Sequence, residues 1–246
     1  MRLMKLDILA IVAHPDDAEL GCSGTLMREK QQGKKIGIAD ITAGELGTRG
    51  TAETRSQEAL IAGAVMQLDV RVNLGLPDGF FENTRKHQLE VIRTIRRFRP
   101  SIIITNAPSD RHPDHGRAAA LVRDAAWLTG LRKIETTWEG ITQEAWRPTQ
   151  VFHLIQDRYL EPDFVYDITG VMEQKIQAIR AFKTQFDVSG SDAEPATYIS
   201  DPAFLESIIE RAKMFGKMIG VRYAEGYKTD KIPGITSFDS LVQIVT

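Results

Sequence analysis

A single cysteine, Cys22, stands in 246 residues, so no intramolecular disulfide can form and packing alone must hold the fold. Long apolar runs are missing as well. None reaches the roughly 18 residues that span a bilayer, and the stretch from Met1 to Asp7 leads straight into a strand-like run without the long apolar core and small-residue cleavage site of a signal peptide. These absences set the expectation of a cytoplasmic protein with no membrane contact. Neither sign of charge is in excess, because 31 Lys+Arg against 33 Asp+Glu leave a formal net charge of -2. A phosphate backbone needs a basic face that this balance does not supply, which excludes nucleic acid as the main partner and favours a small molecule.

What the chain does contain is alternation. Strand-like runs at 7–13, 36–41, 70–74 and 101–105 are separated by helical patterns near 20–32, 52–67, 83–98 and 116–128. That order predicts a mostly parallel α/β sheet with helices on both faces. Gly33 stands where a C-cap would end the first helix, and Pro100 follows the basic end of the third. Further strands are expected at 151–155 and 164–168, helices near 170–183 and 202–218, and a strand-rich C-terminal extension from Tyr223. No repeat, linker or low-complexity tract breaks the chain, so residues 1–246 are expected to form a single domain. The polar stretch 187–195 reads as a surface loop, a candidate lid.

Two of the strand-like runs end in the same vocabulary. The first opens into His14-Pro15-Asp16-Asp17, the fourth into Ser109-Asp110-Arg111-His112-Pro113-Asp114-His115. Ligands of an open parallel sheet gather outside the carboxyl ends of its strands, and strands 1 and 4 are commonly neighbours at the switch point, so the two segments can share one pocket. One such turn could be helix capping alone. Two of them, with three histidines, exceed what capping requires. Imidazole and carboxylate together suit a catalytic Zn²⁺ site, with Fe²⁺, Co²⁺ or Mn²⁺ able to use the same set. Of His14, Asp16, Asp17, His112 and His115, about three would bind metal and the others would move protons. Asp16 could take a proton from water, His112 could face the tetrahedral intermediate as an imidazolium, and Asp114 could orient His112.

Other residues divide between functional and plain readings. Glu45, Thr48 and Arg49 lie in a glycine-rich loop at another strand end, where they could contact substrate or form a turn capped by Thr51. Arg55 and Arg111 are planar forks suited to a carboxylate, or equally to surface ion pairs. Cys22 reads as a buried structural thiol, and His87 and His153 lack companions at ligand spacing.

Three segments together, Ala13-His14-Pro15-Asp16-Asp17, the Gly44-Glu45-x-Gly47-Thr48 loop with Arg55 downstream, and His112-Pro113-Asp114-His115, resemble the PIG-L/LmbE-like zinc N-deacetylases over nearly the whole chain. Those enzymes remove acetyl from N-acetylglucosamine conjugates. The resemblance implies a Rossmann-like fold without a dinucleotide and one Zn²⁺ per chain held by His14, Asp17 and His115. It further implies Asp16 as general base, His112 with Asp114 on the oxyanion, and homo-oligomers, hexamers included. Asn73-Leu74-Gly75-Leu76-Pro77-Asp78-Gly79-Phe80-Phe81, Arg111 and Lys183-Thr184-Gln185-Phe186 look most like the branch that deacetylates N-acetylglucosaminyl malate in bacillithiol biosynthesis, whose malate carboxylates Arg55 and Arg111 would bind. Mycothiol-type relatives carry a tyrosine two residues before the histidine, where this chain has Asp110. Tyr198 is the residue expected to supply that hydroxyl from the late loop.

Overall fold

Ile8–Val12 is an unbroken apolar run buried at every position, as a strand covered on both faces requires. It forms β1, near the centre of the sheet. The computed structural model describes residues 4–186 and 195–238. After β1 come α1 (Asp17–Gly21), α2 (Ser23–Gln31), β2 (Ile36–Asp40), α3 (Ala52–Val65), β3 (Val70–Asn73), α4 (Arg85–Phe98), β4 (Ile102–Thr105) and α5 (Pro113–Leu128). The second half adds a two-stranded hairpin of β5 (Thr137–Trp138) and β6 (Ile141–Thr142), then β7 (Gln150–Leu154) and β8 (Phe164–Asp167). It ends with α6 (Met172–Arg180), α7 (Lys183–Phe186), α8 (Pro202–Ile219) and β9 (Ala224–Thr229).

Seven strands share one sheet in the order β3-β2-β1-β4-β7-β9-β8. Pairing is parallel from β3 through β7, and β9 runs antiparallel to both of its neighbours. The mostly parallel α/β sheet expected from the sequence is therefore present; the strand expected at 164–168 joins it as β8, and the C-terminal extension contributes β9. Period-two alternation assigns the two faces. Leu9, Ile11 and Ile103 pack with Val91, Ile95, Leu121 and Val122 of α4 and α5. Ile8, Ala10, Val12 and Ile104 pack on the opposite side with Cys22, Leu26 and Ala178 of the α1, α2 and α6 layer. The β1–β4 pair, in register from Ile8↔Ile102 to Ile11↔Thr105, puts both His-Pro-Asp segments at one edge of the sheet. This is the switch point, where the chain order reverses and a crevice opens.

Three expectations change in detail. The single helix over 20–32 is two helices, broken at Cys22 (φ -144°, ψ 7°). Gly21 and Gly24 sit so close to β7 and the chain after β8 that a Cβ would stand 2.5 Å from Leu154 and 2.7 Å from Ile168. The helix over 116–128 begins earlier, at Pro113, because proline suits the first helical position and His112 serves as N-cap. The helix over 170–183 starts with a 3₁₀ turn at Thr169–Val171 and ends at Arg180, before the separate α7. All but the last residue of the candidate lid over 187–195 lies outside the described residues, as do 239–246 of the C-terminal tail.

Candidate active site

The segments that follow β1 to β4 converge beyond the carboxyl ends of those strands and, with residues from later in the chain, line a cavity of about 410 Å³. His14, Asp16 and Asp17 come from the turn after β1, Asp78 and Gly79 from the turn after β3, and His112 and His115 from the entry to α5. Leu46, Thr48 and Arg55 close one side, and Arg111, Asp157 and Tyr198 form the other.

At the centre, the Asp17 carboxylate lies between two imidazoles. Its Oδ2 is 3.4 Å from His14 Nδ1 and its Oδ1 is 3.1 Å from His115 Nε2. The far nitrogen of each ring is held by carboxylate: His14 Nε2 lies 3.1 Å from Asp78 and 3.3 Å from Asp114, and His115 Nδ1 lies 2.7 Å from Asp110. Each ring thereby sets one nitrogen toward Asp17 and the other against a further acid, the arrangement that orients metal-binding histidines. Asp17 is fixed in turn, accepting from the His14 backbone N–H (3.0 Å), Asn106 Nδ2 (3.0 Å) and Gln156 Nε2 (2.8 Å). The chemistry of this donor set fits a divalent transition metal. Ligand atoms that all lie within 4.8 Å of one another come from His14, His112 and His115, and from His14, Asp78 and Asp114, so a three-histidine set and a set of one imidazole with two carboxylates are both within reach, beside the Asp17 carboxylate that bridges His14 and His115.

Burial alone would lower the His115 pKa, but the Asp17 charge and the bonds to Asp110 and Asp17 raise it to about 9. His14 is likewise raised well above the ordinary histidine value, its burial outweighed by Asp114, Asp17 and Asp78. The two buried imidazoles thus hold protons where a cation would sit. Asp16 is shifted differently: burial pushes it up to about 7, against the opposing charge of Arg55. Its backbone is in the left-handed region (φ 116°, ψ -27°), strained for a residue with a Cβ. Arg55 grips this turn, donating from Nη2 to the Asp16 carboxylate (2.9 Å) and to the Pro15 carbonyl (2.7 Å).

The PIG-L model, described as GlcNAc-PI de-N-acetylase, matches residues 9–126. The diacetylchitobiose deacetylase of Thermococcus kodakarensis is 28% identical over 93% of this chain and 84% of its own length. A probable N-acetyl-alpha-D-glucosaminyl L-malate deacetylase 2 of Bacillus subtilis is 29% identical over 74% of this chain and 84% of its own. The crystal structure of a conserved protein from Thermus thermophilus superposes with a TM-score of 0.82 and 34% identity, covering 94% of this chain and 98% of that one. The chain belongs to the PIG-L family of N-deacetylases.

Within this PIG-L site several expected residues have other partners. The Asp114 carboxylate does not meet His112; it faces His14 and accepts from Gly79 N–H (2.9 Å) and Arg117 Nη1 (2.7 Å). His112 is oriented by the Asp114 backbone N–H, which donates to its Nδ1 because His112 caps α5. Arg55 is no free fork for a carboxylate, being bound to the Asp16 turn. Arg111 pairs with Asp157 (2.6 Å) and lies over the Tyr198 ring (4.3 Å). Glu45 lies outside the cavity lining and accepts from Asp78 N–H (2.8 Å), holding the Asp78 turn instead. Thr48 does line the cavity, and Tyr198 stands at its rim, 56% exposed, donating to Asp157 (3.1 Å). Arg49 reaches Thr184 O (2.9 Å).

Asp78, Asp110, Asn106 and Gln156 were not singled out as site residues from the sequence. All four share the signal that revealed the histidines, a polar residue soon after the end of an apolar strand. Cys22 is buried in the core, as expected of a structural thiol. His87 accepts from Glu82 N–H, and His153 bonds the carbonyl of Asn106.

Proposed function

We propose that this chain hydrolyses the N-acetyl group of an N-acetylglucosaminide, with a metal, Zn²⁺ foremost, held by His14, Asp17 and His115. The observation that carries the reading is the placing of a buried carboxylate near neutrality, Asp16, beside that donor set and in the same cavity as His112. A bound Zn²⁺, or Fe²⁺, Co²⁺ or Mn²⁺, would polarise the amide carbonyl and ease ionisation of water.

The chain's own residues account for the protons. Asp16 takes one from the attacking water and returns it to the departing amine, a double duty that a carboxylate with a pKa near the working pH can perform. His112, accepting at Nδ1 from the Asp114 N–H, carries its proton on Nε2 when neutral and can donate it to the developing oxyanion. Burial together with the charges of His14 and His115 lowers its pKa, which favours that neutral form over the imidazolium expected from the sequence.

For the aglycone two readings compete. The malate conjugate is the expectation from the branch that Asn73–Phe81, Arg111 and Lys183–Phe186 resemble, with Arg55 and Arg111 binding its carboxylates, and the Bacillus subtilis relative supports it by name. Both cations already face carboxylates, Asp16 and Asp157, which favours a neutral partner such as a second sugar. We favour the neutral aglycone. The deciding experiment compares acetate release from N-acetylglucosamine, N,N'-diacetylchitobiose and N-acetylglucosaminyl malate, with and without chelator. A neutral disaccharide should be preferred and chelator should abolish turnover. Release insensitive to chelator, or undiminished in Asp16→Ala, would refute the mechanism, and preference for the malate conjugate would refute the neutral aglycone.

A further inference from the structure

The break between α1 and α2 is filled by a charged pair from the far end of the chain. Lys175 of α6, buried, donates from Nζ to the carbonyls of Glu19 (3.1 Å) and Leu20 (2.9 Å), the last turn of α1. It also donates to Glu225 Oε1 at 2.7 Å. Glu225 of β9 faces the other way, accepting from the first-turn N–H groups of α2: Gly24 at 2.9 Å to Oε1 and Thr25 at 2.8 Å to Oε2. The Thr25 hydroxyl adds 2.6 Å to Oε2, and Tyr227 OH donates to that hydroxyl at 2.6 Å. A helix leaves carbonyls unpaired at its end and N–H groups unpaired at its start, negative and positive poles respectively. The ion pair places its cation on the first and its anion on the second.

We propose that Lys175 and Glu225 are positioning residues for the metal-binding end of the site, wedged into the helix break so that α1 points Asp17 at His14 and His115 and holds Asp16 beside them. This rests on the reading of Asp17 as a metal ligand. Asp17 is the first residue of a five-residue helix and Asp16 its cap. At 1.5 Å per residue such a helix is about 7.5 Å long, and a tilt of about 10° at its clamped end moves the other by about 1.3 Å. Metal and catalytic geometry tolerate roughly 0.5 Å. Helix α1 has only about a turn and a half with which to hold itself in place; its first residue is bonded through its side chain to Asn106 and Gln156, and the clamp fixes the other end, from which the tilt of the helix is set. Two other cations bond near α1: Arg55 holds the Asp16 cap (2.9 Å), and Arg71 of β3 binds the Glu19 side chain (2.5 Å) and Asp40 of β2 (2.8 Å); neither bonds the Glu19 and Leu20 carbonyls or the Gly24 and Thr25 N–H groups that Lys175 and Glu225 take.

The test uses the full chain with Lys175→Met, Glu225→Gln and the double variant Lys175→Met/Glu225→Gln, which leaves no unpaired buried charge and is the one to read if a single variant does not fold. Arg96→Met serves as a control for general destabilisation, since Arg96 binds the carbonyls of Thr129 and Leu131 beyond α5 and has no contact with α1 among the described bonds. Zinc affinity is measured by chelator competition, and amide hydrogen exchange is followed in the segment 14–26. We expect zinc affinity about 10–100-fold weaker, the range seen when groups supporting metal ligands are lost, and at least 10-fold faster exchange in that segment, with neither change in Arg96→Met. Variants that bind zinc like the parent and exchange like Arg96→Met would overturn the proposal. A parent that binds no zinc would overturn the metal reading alone, and exchange in 14–26 would then decide whether the pair sets α1.

Discussion

Arg55 Nη2 lies 2.9 Å from the Asp16 carboxylate and 2.7 Å from the carbonyl of the preceding proline, so one guanidinium holds both the charge and the strained backbone of the turn after β1. Burial raises the Asp16 pKa and Arg55 opposes that rise. Replacing Arg55 with Met should therefore move Asp16 further up and leave it protonated at neutrality, where it cannot take a proton from water. The acid limb of kcat/KM should shift upward by a pH unit or more, each unit being about 1.4 kcal/mol. Activity at pH 7 should fall at least 10-fold and recover in part at higher pH. A pH-rate profile of Arg55→Met against the parent checks this, and an unmoved acid limb would count against Asp16 as the base.

Asp110 stands where a tyrosine occurs in the mycothiol-type pattern, and its role is visible only in three dimensions. It accepts from His115 Nδ1 at 2.7 Å and from the backbone N–H groups of Arg111 and Arg158 at 2.8 Å each. Asp110→Asn should leave the ring free to turn and lower its basicity, weakening metal binding by about 10–100-fold. Competition with a chelator of known affinity measures the effect, and an unchanged dissociation constant would separate Asp110 from the metal site.

Stability against pH should reverse with metal. In the metal-free protein the pKa of His115 is about 9 against an ordinary 6.5. A group raised on folding contributes stability fully below its unfolded pKa and loses it as pH rises through the folded one. Chelator-treated protein should accordingly lose thermal stability between about pH 6.5 and 9. With Zn²⁺ in excess the trend should invert, because the metal must displace that proton and binds more tightly as pH rises. Thermal melts across this range, with and without zinc, give the two slopes. A metal-free protein that gained stability over the interval would show that His115 is not held protonated by Asp17 and Asp110.

The strands and the two His-Pro-Asp segments were legible because each depends on local pattern: apolar runs such as Ile8–Val12 and Ile102–Thr105, and polar residues directly after them. Their meeting at one edge followed from the parallel α/β rule. The break at Cys22 was not legible, because the groups packed against it and bonded across it, Leu154, Ile168, Lys175 and Glu225, lie more than 130 residues away along the chain. Partner choice was hidden for the same reason. Nothing near Arg55 or Arg111 in sequence indicates that Asp16 and Asp157 neutralise them. Likewise the Asp114 carboxylate, three residues from Arg117 on α5, was free to bond Gly79 and His14 once β3 and β1 placed them opposite.

Asp157 governs how much charge the mouth of the cavity offers a ligand. It accepts from Arg111 Nε at 2.6 Å and from Tyr198 OH at 3.1 Å, while Arg111 lies over the Tyr198 ring. Its Arg111 partner is 42% exposed at the side chain, so the attraction is partly screened and the pair contributes little to stability. Its consequence is selectivity: paired, Arg111 presents no net positive charge to an aglycone. Asp157→Asn keeps the shape and removes the compensation. That variant should bind an anionic aglycone better, lowering KM for N-acetylglucosaminyl malate relative to N,N'-diacetylchitobiose by about 10-fold, or about 1.4 kcal/mol. The kcat for both should change little, since Asp157 bonds none of His14, Asp16, Asp17, His112 or His115 among the described contacts. The gain should shrink as salt is raised, as expected for an exposed charge. A KM ratio that does not move would mean that the aglycone lies away from Arg111.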